Sequence, residues 1–172
     1  DPDALKIGQR LFVNYCAGCH GSDAGGGPGF PNLSDNSWLY GGEPDAIKLS
    51  ILDGRNGVMP AWGAVLNDKG VDEVTAYVIS LSGRDADAEK AATGATHFAT
   101  YCAACHGADG TGNTALGAPN LTDSSWLYGA SAGVIRQSIN DGRKGQMPAH
   151  RDSLGEDKAH LLATYIYSLS NR

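Results

Sequence analysis

Methionine is nearly missing from this sequence, with two in 172 residues, and only four cysteines are present. The cysteines fall into two Cys-x-x-Cys pairs, Cys16/Cys19 and Cys102/Cys105, so none is left over for a separate disulfide. No basic run exists: 13 Lys and Arg face 19 Asp and Glu, a net charge of −6, which argues against a nucleic-acid partner. No apolar stretch approaches the about 20 residues that a spanning helix needs. The longest near the end, Leu161 to Leu169, is interrupted by Thr164 and Ser168. Strand-like alternation is absent, and so is a βαβ pattern. A signal peptide is also missing, and the chain begins at Asp1 rather than Met, which fits either a mature protein or one shortened by a targeting or anchoring segment.

Glycine, by contrast, is plentiful at 24 residues and clusters in short runs such as Gly25-Gly26-Gly27. That distribution suits short helices joined by long irregular loops. The chain is also two copies of one unit. Gly8, Phe12, Tyr15, Cys16, Cys19 and His20 correspond to Gly94, Phe98, Tyr101, Cys102, Cys105 and His106. Beyond a two-residue insertion, Pro31-Asn32-Leu33, Trp38-Leu39-Tyr40-Gly41, Asp53-Gly54-Arg55 and Met59-Pro60-Ala61 recur as Pro119-Asn120-Leu121, Trp126-Leu127-Tyr128-Gly129, Asp141-Gly142-Arg143 and Met147-Pro148-Ala149. The expected domains are 1–83 and 91–172, with 84–90 as a charged linker.

Each copy reads as helical. Gly8, Leu11, Phe12 and Tyr15 form one helical stripe. A second helix is expected to begin at Pro44 and stop before Gly54, with Ser131 as N-cap of its counterpart. A third is expected from about Val71 to Leu81. The fold class is all-α.

The pentapeptide Cys-x-x-Cys-His carries the chemistry. Residues i, i+3 and i+4 share a helical face, so two thiols can add to one porphyrin while the following histidine meets its iron. Cys16, Cys19 and His20 are therefore expected to hold one covalent haem c, and Cys102, Cys105 and His106 another. A zinc ribbon would need its pairs roughly 15–20 residues apart, whereas 82 residues separate Cys19 from Cys102. Met59 and Met147 stand at matching places, each before a proline that disfavours helix. They are expected to ligate iron opposite the histidine of their own copy, Met59 with His20 and Met147 with His106. With both axial positions filled, no open site is left for metal catalysis, so an electron-transfer protein is expected rather than an enzyme. Trp62 of the first copy is replaced by His150 in the second, a residue able in principle to compete as a ligand. His97 and His160 are expected at the surface or satisfied.

At these residues each copy resembles class I cytochromes c. The Trp-Leu-Tyr-Gly element together with Asp-Gly-Arg and Met-Pro-Ala resembles the dihaem cytochrome c subunit of cbb-type haem–copper oxidases, the CcoP/FixP family. The resemblance implies a small helical domain wrapped around each haem. It also implies that the carbonyls of Pro31 and Pro119 accept from the ligand histidines, and that Gly8 and Gly94 permit a close helix crossing, against Tyr77 and Tyr165. Arg55, Arg143, Trp38 and Trp126 are candidate haem-propionate contacts. The implied role is relay of single electrons from a donor cytochrome or quinol-oxidising complex to the oxidase core in the respiratory chain. The implied place is the periplasm, or the periplasmic face of the bacterial inner membrane, with any anchor outside this chain. A free periplasmic carrier of cytochrome c4-like kind is the alternative. A dihaem peroxidase or gas sensor would need a displaceable ligand.

Overall fold

The computed structural model describes residues 1–171. Arg172, the last residue of the expected second domain, lies outside them. The order is α1 (Pro2–Tyr15), α2 (Ala17–His20), α3 (Pro44–Asp53), β1 (Arg55–Met59), α4 (Gly63–Leu81), α5 (Ala88–Tyr101), α6 (Ala103–His106), α7 (Ala132–Asp141), β2 (Arg143–Met147) and α8 (Arg151–Ser170). The all-α reading holds, with one addition: β1 and β2 pair into a small sheet that periodicity did not reveal.

Local chemistry explains the helix ends. Asp1 caps α1 by accepting from Asp3 N, and Asp87 caps α5 by accepting from Lys90 N. Ser131 caps α7, as expected, at 3.3 Å from Val134 N. α3 and α7 stop at Gly54 and Gly142, whose φ values of 70° and 72° suit glycine. α4 begins earlier than expected because it is two segments joined at Asn67 (φ 56°), whose side chain restarts the helix by accepting from Lys69 N.

The compact units are not the contiguous halves 1–83 and 91–172. One unit is Asp1–Asn56 with the chain from Gly145 onward; the other is Gly57–Lys144. Each repeat thus supplies its haem-motif helices to one unit and its terminal helix to the other. In the first unit, Leu154, Leu162 and Ile166 of α8 pack with Phe12 of α1 and Ile47 and Ile51 of α3. In the second, Leu66, Val71, Val74 and Val78 of α4 pack with Phe98 of α5 and Ile135 and Ile139 of α7. The stretch 84–90 is therefore not a linker between domains. It joins two helices, α4 and α5, that pack on each other inside the second unit.

The helix crossing implied for Gly8 and Gly94 is present with its partners exchanged. A Cβ on Gly8 would lie 2.5 Å from Leu161 O and 2.6 Å from Tyr165 Cβ; one on Gly94 would strike the Glu73 carbonyl and lie 3.0 Å from Tyr77 Cβ. Phe12 packs on the Tyr165 ring at 5.8 Å, and Phe98 on that of Tyr77 at 5.2 Å. A physical reason lies in β1 and β2. Each is extended over five residues, which advances the chain by about 17 Å with no reversal.

Candidate functional site

In each unit the first helix ends and a single tight turn follows. Cys16 N still donates to Phe12 O at 2.8 Å, and His20 N then donates to Cys16 O at 2.9 Å. That turn puts Cys16, Cys19 and His20 together, and Gly21 (φ 79°) ends it. The second copy repeats the geometry, with Cys102 N to Phe98 O and His106 N to Cys102 O both at 2.9 Å.

A loop then folds back over the histidine. Gly26 N donates to His20 O, and Leu33 N to Ala24 O, both at 2.8 Å. This brings the Pro31 carbonyl to 3.0 Å from His20 Nδ1, and in the second unit Pro119 O lies 3.2 Å from His106 Nδ1. A carbonyl can only accept, so Nδ1–H is the donor, and in the neutral ring this leaves Nε2 with its lone pair free, the tautomer that suits a metal ligand. The two-residue insertion is absorbed at the loop tip. There the Gly27–Phe30 bridge of the first unit is replaced by the wider Asn113–Ala118 bridge. Both histidines are 9% exposed. Burial also holds the His106 pKa below the ordinary imidazole value, against the opposing bond to Pro119.

Cys19 and Cys105 are exposed, Cys16 is half-buried and Cys102 buried, and none is in a disulfide. Burial, with a smaller contribution from the neighbouring cysteine, pushes the thiols of Cys16 and Cys102 up to about 11. Among the described residues no group of three or more His, Cys, Asp or Glu is arranged to hold a metal ion. This donor set suits thioether attachment with a histidine ligand better than a thiolate cage.

Each methionine lies in the unit opposite to the one expected. Met147 packs against the core of the first unit, as do Cys16, Ala17, Leu33 and Trp38. Met59 packs against the Cys102-containing core of the second, as do Ala103, Leu121 and Trp126. Each methionine therefore belongs to the unit holding the other copy's histidine, because it is carried over with the terminal helix. Gly54 and Gly142 make room for this: a Cβ on either would press into the Met147 or Met59 carbonyl, respectively.

The remaining candidates divide. Trp38 and Trp126 are half-buried walls of the two cores. Arg55 donates from Nε to Ser50 Oγ at 2.9 Å and stacks on Tyr40 at 4.6 Å. Arg143 donates to Ser138 Oγ at 2.8 Å and stacks on Tyr128 at 4.4 Å. Tyr40, Tyr128, Ser50 and Ser138 were not singled out from sequence, although each recurs at the repeat spacing, which was the available signal. His150 starts α8, its N donating to Ile51 O at 3.0 Å. Its counterpart Trp62 lies against Tyr101 at 5.6 Å. His97 is satisfied by Glu73 at 3.2 Å, and His160 is exposed.

The family described as cytochrome c oxidase, cbb3-type, subunit III matches residues 3–78 and 89–166. The chain is 47% identical over 171 residues to the cbb3-type cytochrome c oxidase subunit CcoP of Rubrivivax gelatinosus, covering 99% of this chain and 56% of that protein. It is 40% identical over 184 residues to the CcoP subunit of Cereibacter sphaeroides, covering 98% and 63%. It is 42% identical over 182 residues to the FixP subunit of Azorhizobium caulinodans, covering 98% and 62%. The chain thus spans between 56% and 63% of the length of these relatives. With two matched segments and a tandem pair of like-built sites, this chain belongs to the cbb3-type cytochrome c oxidase subunit III family.

Proposed function

We propose that this chain relays single electrons through two haem c groups to the catalytic core of a cbb3-type cytochrome c oxidase, at the periplasmic side of the inner membrane. Cytochrome c family membership implies haem c, and two matched segments imply two. In the first unit, Cys16 and Cys19 would hold the porphyrin, with His20 and Met147 as axial ligands. In the second, Cys102, Cys105, His106 and Met59 would do the same. Bound haem c supplies an iron that changes by one electron.

The observation that carries this reading is the pair of like-built recesses, each with a buried histidine locked by a proline carbonyl and a half-buried methionine in the same core. The bond to Pro31 or Pro119 orients the imidazole and raises its basicity. A methionine sulfur bound to the iron would fill the position at which a peroxidase or gas sensor would need an opening. The net charge of −6 suits partners that present basic patches, and would set encounter rate more than affinity. Among the described residues no helix is long and apolar enough to cross a membrane.

The intact mass of the denatured native protein tests the cofactor, because thioether links survive denaturation. Chain plus two haems is the expected result, and a mass without haem overturns the proposal. Reduced holoprotein should not bind carbon monoxide, and should pass electrons to an oxidase core lacking its own dihaem subunit. Failure of that transfer alone, with two haems present, would favour the free-carrier alternative.

A further inference from the structure

Arg84 follows α4 at the start of the connection to α5 and lies wholly within the second unit. Its guanidinium is half accounted for. Nε donates to Ser82 Oγ at 2.9 Å, Nη1 donates to the Ala130 carbonyl, and the plane stacks on the Trp126 indole at 5.1 Å. Nη2 is buried and has no hydrogen-bond partner. Among the described residues it is the only buried side-chain nitrogen or oxygen left in that condition. Trp126 is a wall of the core that also holds Met59, Leu121 and Cys102. An unsatisfied cationic donor therefore sits beside the recess assigned to the His106 haem. Nothing already described uses it.

We infer that Arg84 is a propionate-binding residue of the second unit, its Nη2 donating to a haem carboxylate beside Trp126. The reasoning is one of chemistry and place. A buried guanidinium nitrogen calls for an acceptor, preferably an anionic one. A haem propionate is the carboxylate that a cytochrome c recess brings with it. Two anchored nitrogens and a stacked plane hold the fork still, so little side-chain entropy remains to be lost on binding. Arg55 and Arg143, the candidates from sequence, differ in this respect: Nη2 of Arg143 also contacts the Val134 carbonyl, at 3.4 Å, and neither arginine leaves a buried nitrogen orphaned.

The consequence is electrical. A fixed positive charge at the propionates disfavours the ferric state, so removing it should lower the potential of one haem only. The inference rests on the haem reading of the second unit, and the experiment separates the two. Redox titration of the two-haem protein, fitted with two one-electron components, is compared with Arg84→Gln and Arg84→Lys. With haem content unchanged, Arg84→Gln should shift one component toward oxidation by about tenfold in its equilibrium constant, about 59 mV, and leave the other within about twofold. Arg84→Lys, which keeps the charge but not the fork, should shift the same component by less. Two unchanged components in Arg84→Gln, or two that move equally, would overturn the assignment of Arg84 while leaving the haem reading intact. Absence of haem from the unsubstituted protein would overturn both. If Arg84→Gln does not fold, an Arg84→Lys shift confined to one component still supports the inference, and no shift overturns it.

Discussion

Gly26 holds φ at 71°, and a Cβ there would lie 2.7 Å from both Asn32 N and the Pro31 carbonyl carbon. The loop that presents the Pro31 carbonyl to His20 therefore closes only over a glycine, and Gly112 (φ 89°) does the same in the second unit, 2.8 Å from Asn120 N. Gly26→Ala should destabilise the first unit by about 1–3 kcal/mol and loosen the bond that orients His20. Urea unfolding checks the first effect, and the ring N–H signal of His20 by NMR checks the second. Gly18 lies in α2, and a Cβ added there would meet nothing within 4 Å. Gly18→Ala should therefore be neutral or slightly stabilising, which makes it the control.

At the scale of elements, the two helix crossings are chemically different. In the second unit α4 presents Glu73, 7% exposed, to His97 of α5 at 3.2 Å. The corresponding positions in the repeat are Leu161 on α8 and Leu11 on α1, both apolar. Without the exchange of terminal helices, Glu73 would face Leu11 and His97 would face Leu161. A buried carboxylate against leucine would keep only the exposed Lys69 of its own helix, at 3.7 Å, to offset its lost hydration. The exchange thus joins like with like. Ion pairs follow the same division: Arg136 of α7 holds Asp68 and Asp72 of α4, each at 2.7 Å, while Lys48 of α3 holds Glu156 of α8 at 2.7 Å. These are exposed pairs and matter mainly for register. Glu73→Leu alone should cost about 1–3 kcal/mol, and adding His97→Leu should recover most of it by re-creating the apolar pair. Denaturant midpoints of the two single variants and the double variant read out that coupling.

For the whole molecule, the exchange makes the halves dependent on each other. Residues 1–83 or 89–172 expressed alone would keep one Cys-x-x-Cys-His motif and one methionine each. Each would have to close on its own terminal helix, with Glu73 against Leu11 or His97 against Leu161. The expected outcome is that each half, reduced and haem-loaded, binds carbon monoxide because its methionine is poorly held, whereas the full chain does not. Mixing the two halves should suppress that binding. Halves that resist carbon monoxide as well as the intact chain would show that each methionine serves its own repeat.

The tight Cys-x-x-Cys-His turns and the prolines that face their histidines were legible in the sequence because they depend on local spacing and on recurrence. One helical turn brings a Cys-x-x-Cys-His motif together wherever it occurs, and a repeat marks the loop proline, the arginine and the methionine by recurrence. The ends of the middle helices were legible too, through Pro44, Gly54 and Ser131, whereas the early start of α4 at Gly63 was not. Tertiary structure alone decided which methionine lies in the unit of which histidine. The two tails share their Met-Pro-Ala, Tyr and Ser-Leu-Ser positions and fit either unit by that pattern, so the choice falls to long-range contacts. These are an extended strand that carries the chain onward, and one pair of positions where glutamate and histidine on one side answer leucine and leucine on the other. It also decided the place of Arg84, which reads in sequence as linker charge and becomes a buried donor only when the loop around Trp126 closes over it.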